Sequence, residues 1–96
     1  MARPITGKLK REHNTPERAL GAVVTKLRTA KGWSQQRLAD RAGFNVSHIG
    51  VIEHGRGNPG FKLIVAVAQV FGLRPSQLLA MAERKMKKSA STKASN

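Results

Sequence analysis

The stretch SQQRLADRAGFNVSHIGVIEH, residues 34–54, decides how this chain folds. Residues 34–42 have the composition of a short helix, and Gly43 suits the left-handed position that closes a helix. Residues 45–54 form a second short helix in the same reading. Because only Gly43 and Phe44 lie between the two, their axes must cross steeply. The stretch therefore predicts two short helices joined by a tight turn.

The later of these two helices has two different faces. Ile49 and Ile52 are three residues apart, so they share the side that an amphipathic helix turns towards a core. At about 100° per residue, the opposite side gathers four residues. These are Ser47, Gly50, Val51 and His54. This side holds no acidic residue, in a chain with a formal charge of +13. The pattern is typical of a helix-turn-helix whose second helix contacts DNA.

Composition points to the same kind of partner. The 96 residues make one domain at most, and they include 18 Lys and Arg against 5 Asp and Glu. Polyphosphate is the usual partner for such a balance, and an anionic membrane is the alternative. No stretch approaches the roughly 18 apolar residues of a membrane span, and no apolar run follows the cationic start. We therefore expect a cytoplasmic protein that does not enter a membrane.

The chain divides into three parts. Residues 1–14 predict a basic, flexible N-terminal arm, because Pro4 and Gly7 discourage regular structure. Residues 15–83 predict an all-α, compact five-helix domain. Its fourth helix should be nearly buried, judged by its apolar positions. Residues 84–96 are basic and small, so they predict a disordered tail that buries no core.

The spaced residues of this domain carry a family resemblance. They are Gly32-Trp33-Ser34-Gln35-Gln36-Arg37-Leu38-Ala39, then Gly43, then Ile49-Gly50-Val51-Ile52-Glu53-His54-Gly55-Arg56. Together they resemble the Xre/Cro helix-turn-helix family of phage and bacterial repressors, over about residues 17–83. The resemblance implies a repressor-like domain that binds a palindromic operator in double-stranded DNA as a homodimer. Its third helix would lie in the major groove. The size is also similar to that of restriction–modification controller proteins.

The resemblance and the pattern together nominate site residues. The base-reading candidates lie on the third helix: Asn45, Val46, Ser47, His48, Gly50 and Val51. The phosphate-binding candidates lie at the start of the second helix and after the third: Ser34, Gln35, His54, Arg56, Asn58 and Lys62. In some relatives a pair matching Arg28 and Glu53 forms a salt bridge. Apolar residues of the fifth helix predict a dimer interface: Leu78, Leu79, Met81 and Ala82.

Several base-reading positions depart from the relatives. Val46, Ser47 and Val51 stand where Gln or another long polar residue is frequent. A valine cannot hydrogen-bond a base, but it can pack against a thymine methyl group. Gly50 is unusual inside a helix, where it costs about 0.5–1 kcal/mol relative to Ala. It lets the helix approach the groove floor closely, which is the favoured reading, or it relieves a packing clash inside the domain.

Other classes of function fit less well. The chain has three histidines, no Cys or Tyr and scattered acids, so the sequence predicts no enzyme, metal site, cofactor or small-molecule ligand. A membrane-surface peptide needs one long basic amphipathic helix, whereas the apolar positions here fall on five short ones. A protein-interaction module of the same fold, antitoxin-like or coactivator-like, is the serious alternative. Its partner binding would survive high salt, unlike binding to phosphates.

Overall fold

The computed structural model describes residues 15–94, with side chains through residue 87. It contains five helices in this part of the chain, and no strand. They are α1 (Pro16–Ala30), α2 (Gln35–Ala42), α3 (Val46–Glu53), α4 (Phe61–Val70) and α5 (Pro75–Ala94). The predicted all-α, five-helix fold with a helix-turn-helix is thus confirmed. The predicted N-terminal arm lies outside the described residues.

Side-chain caps fix where the first helices begin. The Thr15 hydroxyl accepts a hydrogen bond from the Arg18 N–H at 3.2 Å, and Pro16 occupies the first position of α1. The Ser34 hydroxyl accepts from the Arg37 N–H at 3.0 Å and so caps α2. Gly43 ends α2 with φ 76°, in the left-handed region that an L side chain disfavours. The turn between α2 and α3 is therefore encoded locally.

Every helix contributes to one core. The largest fully buried side chains are Val24 of α1, Leu38 of α2, Ile49 and Ile52 of α3, Val67 of α4 and Leu78 of α5. Helix α1 packs against α3 and α5, α2 against α3 and α4, and α4 against α5. The α2–α3 pair therefore sits on a platform made by the other three helices.

Helix α4 is less buried than its apolar count predicted. Leu63, Val67 and Ala68 lie in the core, but Phe61 at the first position is 71% exposed. Phe61 precedes Leu63 by two residues, which is about 200° around a helix. It therefore points away from the core that Leu63 enters.

Helix α5 is longer than predicted. The tail expected to be disordered from Arg84 continues as helix to Ala94. Neither Gly nor Pro occurs between residues 76 and 94, and Ala, Met, Lys and Arg all favour helix. Met86 also packs against the core, beyond the predicted end at residue 83. Charge and small residues predicted disorder, but helix propensity and one apolar anchor favour the helix.

The predicted dimer interface on α5 needs correction. Leu78 and Ala82 are four residues apart and both lie in the core of this chain, so neither is free to meet a second copy. Met81 is half-buried and also packs against the core. Leu79 remains, with 43% of its surface exposed. The number of apolar residues on α5 does not show which of them face the core and which face outward, so the predicted interface included core residues.

Helices α1 and α3 approach each other backbone to backbone. A Cβ atom added to Gly21 would lie 2.5 Å from the carbonyl oxygen of Ile52 and 2.6 Å from that of Glu53. Gly55, just after α3, lies equally close to α1. A Cβ atom on Gly55 would lie 2.7 Å from Cγ of Arg18. Only glycine fits at position 21, and this requirement was not predicted from the sequence. A lone glycine inside an apolar stripe is the signal that was available.

We predict that Gly21→Ala destabilises the domain. The methyl group would force α1 away from α3, and overpacking of this kind costs about 1–3 kcal/mol. Gly50→Ala is the matched control, since a Cβ atom there meets nothing within 4 Å. That control should gain about 0.5–1 kcal/mol from helix propensity. Thermal unfolding followed by circular dichroism measures both, and equal melting temperatures for Gly21→Ala and wild type would refute the close approach.

Candidate nucleic-acid interface

Helix α3 is held by its inner face and by its cap. Ile49 and Ile52 are buried, as predicted from their spacing. The Asn45 side-chain oxygen accepts from the His48 N–H at 3.2 Å and from the Ser47 hydroxyl at 2.6 Å. The cap and the two isoleucines together fix α3, which carries the predicted base-reading residues.

The opposite side of α3 is open to solvent. We call it the outer face; it consists of Val46, Ser47, His48, Gly50, Val51 and His54. Gly50 is half-buried and the other five are exposed. Val46 and Val51 are two of the four large apolar residues that the described part of the chain exposes. An exposed apolar side chain on a helix without acidic neighbours suits contact with a groove better than contact with water.

The structure removes one of the two explanations for Gly50. A Cβ atom built on this residue meets no atom within 4 Å among the described residues. Gly50 therefore relieves no packing clash inside the domain. What remains is the open backbone that it leaves at the middle of the outer face. Its carbonyl oxygen accepts the N–H of His54 at 2.9 Å and lies 2.7 Å from His54 Nδ1.

A network around Glu53 fixes α3 against its neighbours. Arg28 Nε and a terminal nitrogen of the same guanidinium donate to the two oxygens of Glu53, at 2.6 Å and 3.1 Å. The other terminal nitrogen donates to the carbonyl oxygen of Trp33 at 2.7 Å. The side chains of Arg28 and Glu53 are only 14% and 4% exposed. The pair that the resemblance implied is therefore present, and it is largely buried.

Gln35 belongs to the same network. Its side-chain Nε2 donates to Glu53 Oε1 at 2.9 Å. The sequence predicted a phosphate contact for Gln35, and this bond uses one of the two N–H donors of its side-chain amide, which leaves one for such a contact. The Ser34 hydroxyl is likewise engaged as the cap of α2. The backbone N–H groups of Gln35 and Gln36 are the part of α2 suited to an anion, because the helix supplies no carbonyl four residues before them.

The turn after α3 holds the remaining predicted phosphate ligands. Arg56 and Asn58 are exposed in the loop, and Lys62 is exposed in the first turn of α4. Gly55, with φ 66°, starts this loop against Arg18. The loop therefore begins at a fixed point next to the end of α3, with two cations following.

Trp33 lies at the surface of the motif, half-buried. Its ring stacks on Phe71 with centroids 5.8 Å apart, and the Arg41 guanidinium lies 4.6 Å from its centroid. This cation–π contact was not predictable from the sequence, because it depends on how α2 crosses the end of α1. Such a contact contributes about 0.5–1 kcal/mol at exposed sites. It links the end of α1 to the last turn of α2.

The described residues offer little to other chemistry. They contain no group of three or more His, Cys, Asp and Glu side chains that could hold a metal ion. Within the same part of the chain, no single helix is long and apolar enough to cross a membrane.

The fold and this site define a helix-turn-helix domain. The sequence model of the helix-turn-helix family matches residues 24–78, more than half of the chain, and the chain belongs to this family. The Xre/Cro-type resemblance of the sequence is confirmed by this match.

Two relatives are similar in sequence. The SPbeta prophage-derived uncharacterized HTH-type transcriptional regulator YonR of Bacillus subtilis strain 168 is 36% identical over 59 residues. The match covers 62% of this chain and 55% of YonR, so the chain spans about half the length of that relative. The uncharacterized HTH-type transcriptional regulator y4dJ of Sinorhizobium fredii is 30% identical over 60 residues, which cover 62% of this chain and 78% of y4dJ.

Two solved structures share the architecture. The restriction-modification controller protein C.AhdI of Aeromonas hydrophila superposes with a TM-score of 0.60 at 34% identity, covering 64% of this chain and 92% of that one. The clp gene regulator ClgR of Corynebacterium glutamicum gives 0.73 at 24% identity, covering 83% and 85%. The likeness to ClgR concerns the fold alone. All four of these proteins are named regulators or controllers, and none of the four is named an enzyme.

We predict that Arg28→Ala and Glu53→Ala each destabilise the domain by about 3–5 kcal/mol. Each removal leaves the opposite charge buried without its partner. The exposed hydrogen bond between Gln36 and Asp40, at 2.8 Å, provides the control. Asp40→Ala should cost about 0.5 kcal/mol or less, as expected for an i, i+4 pair on a helix surface.

Urea unfolding of the single variants and of the double variant measures the coupling between Arg28 and Glu53. The double variant should be less destabilised than the sum of the two single variants. Additive and small effects would mean that the pair does not hold α3 in place.

Proposed function

We propose that this chain is a sequence-specific regulator of transcription, a repressor or controller, that binds double-stranded DNA with α3 in the major groove. One observation carries the proposal: the outer face of α3 is exposed, free of acids and unobstructed at Gly50. The basic balance of the chain favours a phosphate-rich partner. The names of YonR, y4dJ and C.AhdI support the same role.

The base contacts follow from the chemistry of the outer face. Val46 and Val51 present methyl groups, which suit the thymine methyl group in the major groove. The Ser47 hydroxyl donates to Asn45, which leaves its oxygen free to accept. An acceptor at this point suits the amino group of adenine or cytosine. Gly50 lets the backbone of α3 come close to the groove floor.

Phosphate contacts then position α3. The first turn of α2, around Ser34 and Gln35, offers backbone N–H groups to a phosphate of one strand. Hydrogen-bond donors for the DNA backbone also follow α3; they come from His54, Arg56, Asn58 and Lys62. Contacts of this kind fix the register of the protein on DNA and carry no sequence information themselves.

A homodimer is the second part of the proposal. Leu79 lies beside an apolar groove of about 290 Å³ that Pro59, Ile64 and Met86 also line. In a twofold dimer, the Leu79 side chain of each copy would enter this groove of the other copy. To enter successive major grooves, the two α3 helices of such a dimer would lie about 34–36 Å apart, one turn of DNA, and the operator would be palindromic.

We predict that outer-face variants change base preference and that loop variants do not. Ser47→Ala and Val51→Ala should alter the preference at one or two base pairs of each half-site, by about 1–3 kcal/mol at most. Arg56→Ala is the contrast: it should weaken every sequence alike and reduce the slope of log affinity against log salt by about one unit. The assay is binding to a site selected from random duplexes and to its single-base variants. An unchanged preference profile in both Ser47→Ala and Val51→Ala would exclude α3 from base reading.

We predict that Leu79→Glu dissociates the dimer. The carboxylate would enter an apolar groove between two copies, where an unpaired charge is strongly disfavoured. Ala80→Glu is the matched control, with the same charge on an exposed neighbour in α5. Sedimentation equilibrium at about tens of micromolar should show dimers for wild type and Ala80→Glu, and monomers for Leu79→Glu. Monomeric wild type, or an unaffected Leu79→Glu variant, would rule out this interface.

A further inference from the structure

A second surface of the chain, formed by α1 and α5, combines an apolar floor with a cationic rim. It is an open groove of about 470 Å³. Val23, Leu27 and Met81 make the floor, and all three are buried or half-buried beneath it. The rim is made by Lys26, Arg84 and Lys85, and no acidic residue lines the groove.

The spacing of residues on α1 gives the groove its shape. Ala22, Lys26 and Ala30 follow each other at intervals of four, so they form one row along the helix. The small side chains of the two alanines leave a depression in the surface on either side of Lys26. The row extends over eight steps along the helix, from residue 22 to residue 30, or about 12 Å at about 1.5 Å per residue. This length matches about two turns of a partner helix lying in the groove.

The groove lies away from the outer face of α3. Gly21 marks the side of α1 that touches α3. Lys26 follows Gly21 by five residues, which is about 140° around the helix at 100° per residue. A partner in the groove therefore leaves the outer face of α3 open.

We propose that this groove binds an acidic amphipathic helix of a partner protein. The apolar stripe of such a helix would cover Val23, Leu27 and Met81, and its flanking carboxylates would meet the three cations of the rim. Helix-in-groove recognition uses anchors at i, i+3, i+4 and i+7, which fits a floor of this length. Charge complementarity selects the acidic partner.

Other occupants fit the groove less well. A second copy docked on the same surface by a twofold axis would set Lys26, Arg84 and Lys85 against the same three cations. Nucleic acid would satisfy the rim, but its phosphates gain nothing from an apolar floor.

The test uses a designed peptide and the full chain. The probe is a fluorescein-labelled amphipathic helix of about four turns, with Leu at i, i+3, i+4 and i+7 and Glu beside the stripe. Fluorescence anisotropy is measured at about 0.15 M NaCl, where exposed charges more than about 8 Å apart are screened. A shuffled peptide of the same composition, without the stripe, should bind at least about tenfold more weakly, because it cannot cover the floor.

Charge exchange then locates the binding site. The double variant Lys26→Glu/Arg84→Glu should bind the Glu peptide about tenfold more weakly or worse, since two attractions become repulsions. The same variant should gain affinity for a peptide with Lys in place of Glu. Arg37→Glu/Arg74→Glu is the matched control, with the same charge change at two exposed positions outside the groove. Circular dichroism verifies that each variant is folded.

Three results would overturn the proposal. Equal weakening by the control double variant would mean attraction by net charge alone. Equal binding of the shuffled peptide would mean that the apolar floor is not used. A change in the sedimentation of the protein alone, caused by Lys26→Glu/Arg84→Glu, would make the groove an interface between copies of this chain.

Discussion

The helix-turn-helix motif depends on the hydrogen bonds that the buried Glu53 carboxylate accepts. This carboxylate accepts hydrogen bonds from Arg28 of α1 and from Gln35 of α2, while it belongs to the last turn of α3. Arg28 extends the same network to the Trp33 carbonyl before α2. A helix of eight residues is not stable alone in water, so the orientation of α3 must come from its surroundings. One buried carboxylate thereby joins α1 to both helices of the helix-turn-helix motif.

The contacts that anchor α3 lie on its inner face and at its two ends. Its inner face supplies Ile49 and Ile52 to the core, and Gly21 lets α1 approach its C-terminal end. The outer face contributes nothing to the packing of the domain at Gly50. Position 50 can therefore carry a side chain without a packing cost inside the domain. Val46, Ser47 and Val51 are exposed on this face, so substitutions there should leave the core unchanged.

Most of the fold was predictable from local signals in the sequence. The caps at Thr15 and Ser34 and the left-handed Gly43 depend on neighbours within four residues, so they were predictable. The Arg28–Glu53 pair was predictable only through the resemblance, because 25 residues separate its members. Tertiary geometry accounts for what the sequence did not predict.

Three examples show this dependence on tertiary geometry. The side of α5 that enters the core decided that Leu78 is buried and Leu79 exposed. The crossing of α1 and α3 decided that Gly21 must remain glycine. The contact of Met86 with the core lies in the segment of α5 for which charge predicted disorder. The candidate site itself was predicted as a set of residues; the bond from Gln35 to Glu53 was not.

The most direct test of this account is a nuclear magnetic resonance titration of the ¹⁵N-labelled chain with a duplex selected from random sequences. The account predicts that the largest amide shifts fall at residues 45–51 and at the start of α2, with contacts from the Val51 methyl groups to major-groove protons. Shifts concentrated on α4 and α5, with residues 45–51 unchanged, would contradict it.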